Sequence, residues 1–232
     1  MRIGIVQSNY LPWRGYFNLI SFCDIFVFHD DIRYTSQDWR NRNYINSRQG
    51  PHRMTIPVGP GQNRNINQID LPRGKWRKEH FRLIQQSYSK HMYWPDYKDF
   101  IEYIYREDTF STLSSFNQST IQTISTNFLK LSTRFVDSSS FNFSSSKQHK
   151  VVDLLRELGA TEYVSGPAAK AYLDVQFMST IGIKTLWINY ETLVPYPQLN
   201  FPANNNLSII DLLFNCGPRS REFLTASLVD SD

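Results

Sequence analysis

The sequence predicts an α/β fold with a parallel-sheet core, Rossmann-like and nucleotidyltransferase-like, and a helical insertion in the middle of the chain. Three observations support this prediction. Both ends of the chain alternate short apolar runs with helical patterns, and three longer helical patterns lie between them. The chain has 232 residues with 41% hydrophobic positions, which is enough to bury a sizeable core and excludes a disordered or collagen-like chain.

The first thirty residues have the pattern strand, loop, helix and strand. Residues 3–6 are a short apolar strand, and Asn, Pro and Gly breakers predict a loop at 7–15. A helix follows at 16–22 and a second apolar strand at 24–28. Two strands joined by a helix form a βαβ unit with a parallel sheet, and such sheets bind ligands at the carboxyl ends of the strands.

The same patterns predict elements along the rest of the chain. The predicted strands are 44–45, 53–58, 161–164 and 185–190, and the predicted helices are 76–89, 96–106, 113–131, 151–158, 168–177 and 207–215. A Ser-rich segment at 138–146 is typical of a linker or a flexible ligand loop. We therefore expect a single domain over residues 1–232. Its α/β core spans about 1–60 and 147–217, and its helical insertion about 75–132.

Basic charge is concentrated in one quarter of the chain. Residues 33–90 contain twelve Lys or Arg and three Asp or Glu, a local charge of +9, so the rest carries −5 to give the total of +4. This distribution predicts an anionic ligand at one place, with a solvated basic face as the alternative. Aromatic residues reach 15%, which suits stacking on a ring system but equally suits an aromatic core.

The N-terminus and the cysteines narrow the class of protein. The first residues read as a strand rather than a signal peptide, and no apolar run approaches the roughly 18 residues of a membrane span. Cys23 and Cys216 lie in apolar segments and are expected to be buried free thiols. We therefore expect a soluble protein of a reducing compartment. The sequence contains no Walker loop, Gly-x-Ser-x-Gly elbow, His-Glu-x-x-His or Cys-x-x-Cys motif.

The loop after the first strand is the first candidate ligand site. Such a loop points backbone N–H groups at a phosphate, and a glycine at the helix start allows close approach. Trp13-Arg14-Gly15-Tyr16 stands where nucleotidyltransferase-like folds have His-x-Gly-His, so aromatic rings replace both histidines and are expected to stack on a base or sugar. A packed aromatic loop is the alternative. The binding candidates here are Gln7, Tyr10, Trp13, Gly15 and Tyr16.

Three residues are candidates for catalysis. Asp30 and Asp31 follow the second strand, where they can hold a divalent cation, or one can act as general base with His29 nearby. Adjacent strand residues point to opposite faces, so we expect at most one of the two in the site, and capping of the next turn is the alternative. His80 shares a predicted helix with three cations, whose charge would keep it neutral and suited to act as a base. A structural role is the alternative for this lone histidine.

Three further segments supply binding candidates. Residues 38–43 combine a tryptophan with two arginines and two asparagines, which is typical of a loop that grips a phosphate or carboxylate. Residues 163–173 form another strand-to-helix turn, and residues 196–198 are expected to close the same site. The candidates are Trp39, Arg40, Asn41, Arg42, Ser165, Gly166, Tyr172 and Gln198.

Taken together, these segments resemble the WbqC-like protein family. The matching blocks are QSNYLPWRGYF at 7–17, FVFHDD at 26–31, WRNRN at 39–43, Trp76 with His80, YVSG at 163–166, Tyr172-Leu173, YPQ at 196–198 and SIIDLLFNCG at 208–217. Ser8 departs from the family, which usually has proline there. The resemblance implies a bacterial cytoplasmic protein of O-antigen (lipopolysaccharide) or other surface-polysaccharide biosynthesis.

In that setting we expect a transferase that modifies an amino sugar, by acyl or aminoacyl transfer, on a nucleotide-linked substrate. The ligand is then a nucleotide-linked sugar or another anionic small molecule, and no motif specifies a cofactor, a metal or an oligomeric state. The basic segment would hold a diphosphate, and Asp or His would act as base for an attacking amine. The residues expected to line one pocket are Gln7, Tyr10, Asp30, Arg42, Ser165 and Gln198.

Two other functions fit the same residues. A nucleic-acid-binding or base-modifying protein would use the same basic and aromatic segment, although the negative remainder of the chain argues against it. A non-catalytic assembly factor for the polysaccharide machinery would not need Asp30, Asp31 or His80.

Overall fold

The chain folds into an α/β structure, which confirms the predicted fold class. The computed structural model describes residues 1–60, 63–143, 148–199 and 204–231. Its strands are β1 (Arg2–Val6), β2 (Ile25–Phe28), β3 (Arg42–Ser47), β4 (Gly50–Thr55), β5 (Arg134–Asp137), β6 (Glu162–Ser165), β7 (Lys184–Asn189) and β8 (Ser227–Asp230). Its α-helices are α1 (Arg14–Ser21), α2 (Trp76–Tyr88), α3 (Trp94–Ile104), α4 (Leu113–Thr123), α5 (Gln148–Glu157), α6 (Val175–Thr180) and α7 (Ile209–Cys216). None of the helices in these ranges is long and apolar enough to cross a membrane.

Six strands form one sheet in the order β5-β2-β1-β6-β7-β8. The first five run parallel, and β8 lies antiparallel to β7. Ile3 of β1 lies opposite Ile25 on one side and opposite Tyr163 on the other. The strand order runs outward in both directions from the β1–β6 pair. The β1–β6 pair is therefore the topological switch point of the sheet. Open α/β sheets bind ligands there, at the carboxyl ends of the strands.

Two hydrophobic clusters cover the two faces of the sheet, because side chains alternate along each strand. Ile3 and Ile25 belong to the smaller cluster, which contains the apolar residues of α5. Phe26 belongs to the larger one, with α1 to α4 and α7. Gly4 lets α1 approach this face, since a Cβ at Gly4 would lie 2.7 Å from the Sγ of Cys23. Cys23 is buried and free, as predicted, and so is the other cysteine.

The middle of the chain covers the larger cluster. The strands β3 and β4 form a two-stranded hairpin outside the large sheet, and helices α2, α3 and α4 pack beside it. The helix predicted at 113–131 is shorter than expected, because α4 is followed by a π-helical turn at Ile124–Phe128 and Lys130 then has a positive φ of 53°.

Several details of the predicted secondary structure were wrong. The sequence does not predict β5 or β8, which are four-residue strands on the two edges of the sheet. The helix predicted at 168–177 is a 3-10 turn at Pro167–Ala171 followed by α6. Asp174 separates them because its side chain caps α6, accepting from the backbone N–H of Phe177 at 2.9 Å. Residues 144–146 of the Ser-rich segment lie outside the described residues.

Candidate functional site

A cavity of about 390 Å³ lies at the switch point, against the carboxyl ends of β1 and β6. Its wall combines rings with amide, hydroxyl and imidazole groups, and His29 and Tyr190 are among the residues that form it. Seven of the binding candidates from the sequence line this cavity: Gln7, Trp13, Tyr16, Trp39, Ser165, Gly166 and Tyr172. Ligands of open α/β sheets bind at the carboxyl ends of parallel strands, which we call the strand-end rule. Here these strand ends bring residues from two distant parts of the chain to one cavity.

A second cavity of about 340 Å³ adjoins the first. The two share Asn9, Trp13 and Trp39, and the second is completed by Pro12, Asn43 and Asn206. The two shared indoles thus border both spaces. The indole of Trp39 is 49% exposed, which leaves an aromatic face open to a ligand.

The loop between β1 and α1 is held rigidly by the rest of the chain. The Ser8 backbone N–H donates to Asp30 Oδ1 at 2.8 Å, and the Tyr10 backbone N–H donates to the Trp39 carbonyl at 3.0 Å. Asn43 Nδ2 donates to the carbonyl of Leu11 at 2.6 Å, where φ is +41°. These contacts hold the two indoles and Gln7 in place before any ligand arrives.

Gly15 supports an indole rather than a ligand. A Cβ at Gly15 would lie 2.3 Å from the ring of Trp13, so the glycine lets this indole fold back over the start of α1. Tyr190 also lines the cavity, and its ring centre is 4.8 Å from that of Trp13. Tyr16 adds a polar contact, since its hydroxyl donates to the Gln7 carbonyl at 3.0 Å.

Arg40 brings a cation to the polar side of the cavities. Its guanidinium donates to Gln7 Oε1 at 3.0 Å and to Asn9 Oδ1, and lies 3.5 Å from Asp38 Oδ2. Arg42 lies close enough to Tyr34 to affect its titration, as Arg40 does. Within the described ranges, the Arg42 Nε and the Tyr34 hydroxyl are both enclosed and have no hydrogen-bond partner, and Arg42 lines neither cavity.

Asn41 faces the interior instead. It is buried, its Nδ2 donates to the carbonyl of Ile56 at 2.8 Å, and its own carbonyl accepts from the Ile56 N–H. This pairing ties the basic segment to the chain beyond β4. Asn41 therefore holds the neighbouring arginines in position and does not reach the cavities.

Asp30 is completely buried beneath the β1–α1 loop. Besides Ser8, its carboxylate accepts from Ser114 Oγ at 2.5 Å and from Gln118 Nε2 at 2.9 Å. Asp31 points the other way, as strand alternation predicts, and its side chain is beside His29. Neither carboxylate lines the cavity, and Asp31 is the one whose side chain lies 3.8 Å from a wall residue, His29.

His80 lies in a buried cluster with two tyrosines. Its Nδ1 is 2.8 Å from the Tyr10 hydroxyl, which also bonds the hydroxyl of Tyr105. Burial lowers the pKa of His80 to about 4, against a weaker effect of its hydrogen bond with the Thr55 backbone. His80 is therefore neutral at pH 7 because it is desolvated, not because of neighbouring cations as the sequence suggests. Neither His80 nor Tyr10 lines the two cavities.

Gln198 belongs to a separate buried network around Asp211. Its Nε2 donates to Asp211 Oδ2 at 2.9 Å, and the hydroxyls of Tyr88 and Tyr196 donate to the same carboxylate at 2.7 and 2.8 Å. Burial raises the pKa of Asp211, and these hydrogen bonds partly offset the effect. The network joins α2 to α7. The guanidinium of Arg14, itself buried, lies 5.1 Å from the centre of the Tyr196 ring.

The expectation of one pocket lined by six named residues was therefore wrong. Gln7 and Ser165 line the switch-point cavity, whereas Tyr10 and Asp30 are completely buried behind its wall. The residues that support the wall were misread as wall residues because a sequence does not reveal burial. In the other direction, the sequence candidates left out Asn9, Tyr190 and Asn206, and they included His29 only as the neighbour of Asp30 and Asp31.

None of the twelve Lys or Arg residues of the basic segment is among the residues that line the two cavities. Exposed cations such as Arg48, Lys78 and Arg82 lie on the hairpin turn and on α2. A larger cavity of about 590 Å³ lies between these elements and includes Arg48 and His52, but it is remote from the strand ends. Among the part of the chain that the structure describes, no group of three or more His, Cys, Asp or Glu residues is placed to hold a metal ion.

The chain is similar to a known protein family and to a protein of known sequence. The model of the WbqC-like protein family matches residues 7–223. An uncharacterized protein of Mycobacterium tuberculosis, Rv1507c, is 36% identical over 225 residues, which cover 96% of this chain and 97% of the relative. No solved structure matches the chain.

Proposed function

Because the chain belongs to the WbqC-like protein family, we propose that it is a cytoplasmic transferase of bacterial surface-polysaccharide (O-antigen) biosynthesis. It transfers an acyl or aminoacyl group to the amino group of a sugar carried on a nucleotide. The chain acts as a single domain, in which Asn43 of the hairpin joins residues of the α/β core in lining the second cavity.

One observation carries this proposal: two adjoining cavities share the indoles of Trp13 and Trp39. A transferase must hold a donor and an acceptor side by side, and fixing both in one geometry accounts for much of the rate increase in two-substrate reactions. Two spaces of about 390 and 340 Å³ with a common border meet that requirement. The flat indole faces suit a sugar ring or a base.

The polar groups near these cavities suit a diphosphate. Arg40 is hydrogen-bonded to Gln7 in the wall, and Arg42, whose Nε has no partner among the described residues, precedes Asn43 of the second cavity in the chain. Guanidinium groups bind phosphate oxygens in pairs of parallel hydrogen bonds. Ser165 and Gly166 provide a hydroxyl and a backbone edge where β6 ends. We assign these residues to the nucleotide part of the substrate.

Thermal unfolding with nucleotide-linked amino sugars tests the proposal. A ligand present at 100 times its Kd stabilises the fold by about 2.7 kcal/mol, which for this chain length corresponds to roughly 5–10 °C in Tm. Arg42→Ala is expected to abolish the shift. Arg48→Ala is the matched control, because Arg48 is exposed on the hairpin turn and lines neither of the two adjoining cavities. Failure of every nucleotide-linked sugar to raise the Tm of the native protein would contradict the proposal.

The chemical structure of the surface glycan, determined with and without the gene, tests the same proposal in cells. We expect the glycan without the gene to lack one substituent on an amino sugar while keeping its sugar backbone. An unchanged glycan would exclude this role. A glycan that is missing altogether would favour the assembly factor.

A further inference from the structure

His29 lies where β2 ends and forms part of the wall of the switch-point cavity. Its backbone N–H donates to the Val6 carbonyl at 3.1 Å, which ties it to the end of β1. The residue is only 7% exposed, and its Nε2 is enclosed with no hydrogen-bond partner among the described residues. An enclosed polar atom without a partner is costly, which is a reason to look for a functional role.

Asp31 is the carboxylate that lies beside that nitrogen. Asp31 Oδ1 is 3.8 Å from His29 Nε2, beyond hydrogen-bond distance, and catalytic hydrogen bonds are often long in the absence of substrate. Lys150 Nζ and Ser138 Oγ donate to the same carboxylate and fix it in place. Burial raises the pKa of Asp31, but the hydrogen bonds from Lys150 and Ser138 outweigh it and hold the pKa below its ordinary value.

The imidazole is neutral at pH 7. Burial lowers the pKa of His29, Lys150 acts in the same direction, and Asp31 and Asp30 oppose them without cancelling the effect. A carboxylate can only accept a hydrogen bond, so Asp31 favours the tautomer with the ring proton on the Nε2 that faces it. Nδ1 then keeps its lone pair for a ligand.

We propose that His29, oriented by Asp31, is the general base of the proposed transfer, with Nδ1 as the atom that accepts the proton of the attacking amino group. This inference rests on the proposed function. It makes His29 a catalytic residue and Asp31 a positioning residue, and it removes Asp30 and His80 from the chemistry.

The step balances with an activated acyl donor such as a thioester. The amine nitrogen attacks the carbonyl carbon, and a C–N bond forms while the amine proton passes to His29 Nδ1. The C–S bond then breaks and the thiolate leaves with the electron pair. His29 gives its proton to the thiolate, so the protein returns to its starting state.

Acetyl transfer to UDP-glucosamine from acetyl-coenzyme A, followed by mass spectrometry, measures this step. His29→Gln is expected to lower the rate by about 10²–10⁴-fold while keeping the thermal shift that UDP-glucosamine produces. Asp31→Asn should lower the rate and move the acidic limb of the pH profile to lower pH, because the loss of this carboxylate leaves Lys150 to disfavour protonation of His29. Added imidazole should restore part of the rate of His29→Ala.

A second measurement does not depend on turnover with these probes. Diethyl pyrocarbonate modifies neutral imidazoles, and UDP-glucosamine is expected to slow modification of His29 at least tenfold while leaving exposed His52 unaffected. Native transfer rates in His29→Gln, or binding of UDP-glucosamine without protection of His29, would overturn the inference and leave the proposed function standing. If the native protein binds no nucleotide-linked sugar, the proposed function fails and the inference fails with it.

Discussion

The buried His80 makes the stability of this protein depend on pH in a way that can be calculated. Its pKa is about 4 in the folded chain, against roughly 6.5 for an unperturbed histidine. The folded state therefore binds fewer protons than the unfolded state between these values, so stability is lost as the pH falls below about 6.5. Integrated from pH 7 to pH 4, this single group removes about 3 kcal/mol from the free energy of unfolding.

The matched variant His80→Gln isolates this contribution. His29 and His91 also have pKa values lowered by burial, so the native protein should lose stability at low pH for several reasons of the same sign. Glutamine keeps hydrogen-bonding groups toward Tyr10 but does not titrate. Urea unfolding followed by circular dichroism at a series of pH values gives the free energy for both proteins.

The difference between the two curves of unfolding free energy against pH tests whether the pKa of His80 is lowered. We expect the native protein to lose about 3 kcal/mol more than His80→Gln between pH 7 and pH 4, with most of the change between pH 6 and pH 4.5. Parallel curves would mean that the pKa of His80 is not lowered, and would refute the account of the Tyr10–His80 cluster as a desolvated one. Titration of the His80 ring by NMR gives the same pKa directly.

Three further outcomes follow from buried contacts. Asp211→Asn leaves two tyrosine hydroxyls with a poorer acceptor and should lower the unfolding free energy by about 1–3 kcal/mol in urea titrations, whereas an unchanged midpoint would contradict the network. Gly217→Ala places a Cβ 2.3 Å from the ring of Tyr93 at a backbone φ of +55°, so we expect a lower Tm by calorimetry. An unchanged Tm would show that alanine fits at position 217 without strain. Burial raises the pKa of the Cys23 thiol and raises that of Cys216 to about 11. Both thiols should therefore react with a disulfide reagent at pH 8 only after unfolding. Rapid reaction of the native protein would show that they are accessible.

The central strands were predictable because of their environment. Residues of β1 and β2 are covered on both faces, so each reads as a short continuous apolar run. The edge strands β5 and β8 have partly exposed residues and only four positions each, which leaves no pattern to detect. The helix predicted at 168–177 failed for a local reason, since Asp174 competes for backbone N–H groups and starts a new helix.

Only the site residues that lie at strand ends were predictable from the sequence. Gln7 and Ser165 stand at the ends of neighbouring parallel strands, so the strand-end rule places both at the cavity. Asp30 and His80 have the side chains of catalytic residues, but tertiary packing buries them, and neither charge nor spacing in the sequence reveals this. His29 illustrates the converse case, because its importance depends on an enclosed nitrogen and a nearby carboxylate that only the folded chain brings together.

The pairing of β1 with β6 has a consequence for how the protein is made. Arg2 and Glu162 are paired across 160 residues of chain, so the middle of the sheet waits for a segment that is synthesised late. Until β6 arrives, one edge of an apolar strand lacks its partner, and such edges recruit other chains into aggregates. The pairing that brings Gln7 and Ser165 to one cavity therefore also closes this edge, and a chain truncated before residue 162 lacks both the cavity and the closed edge.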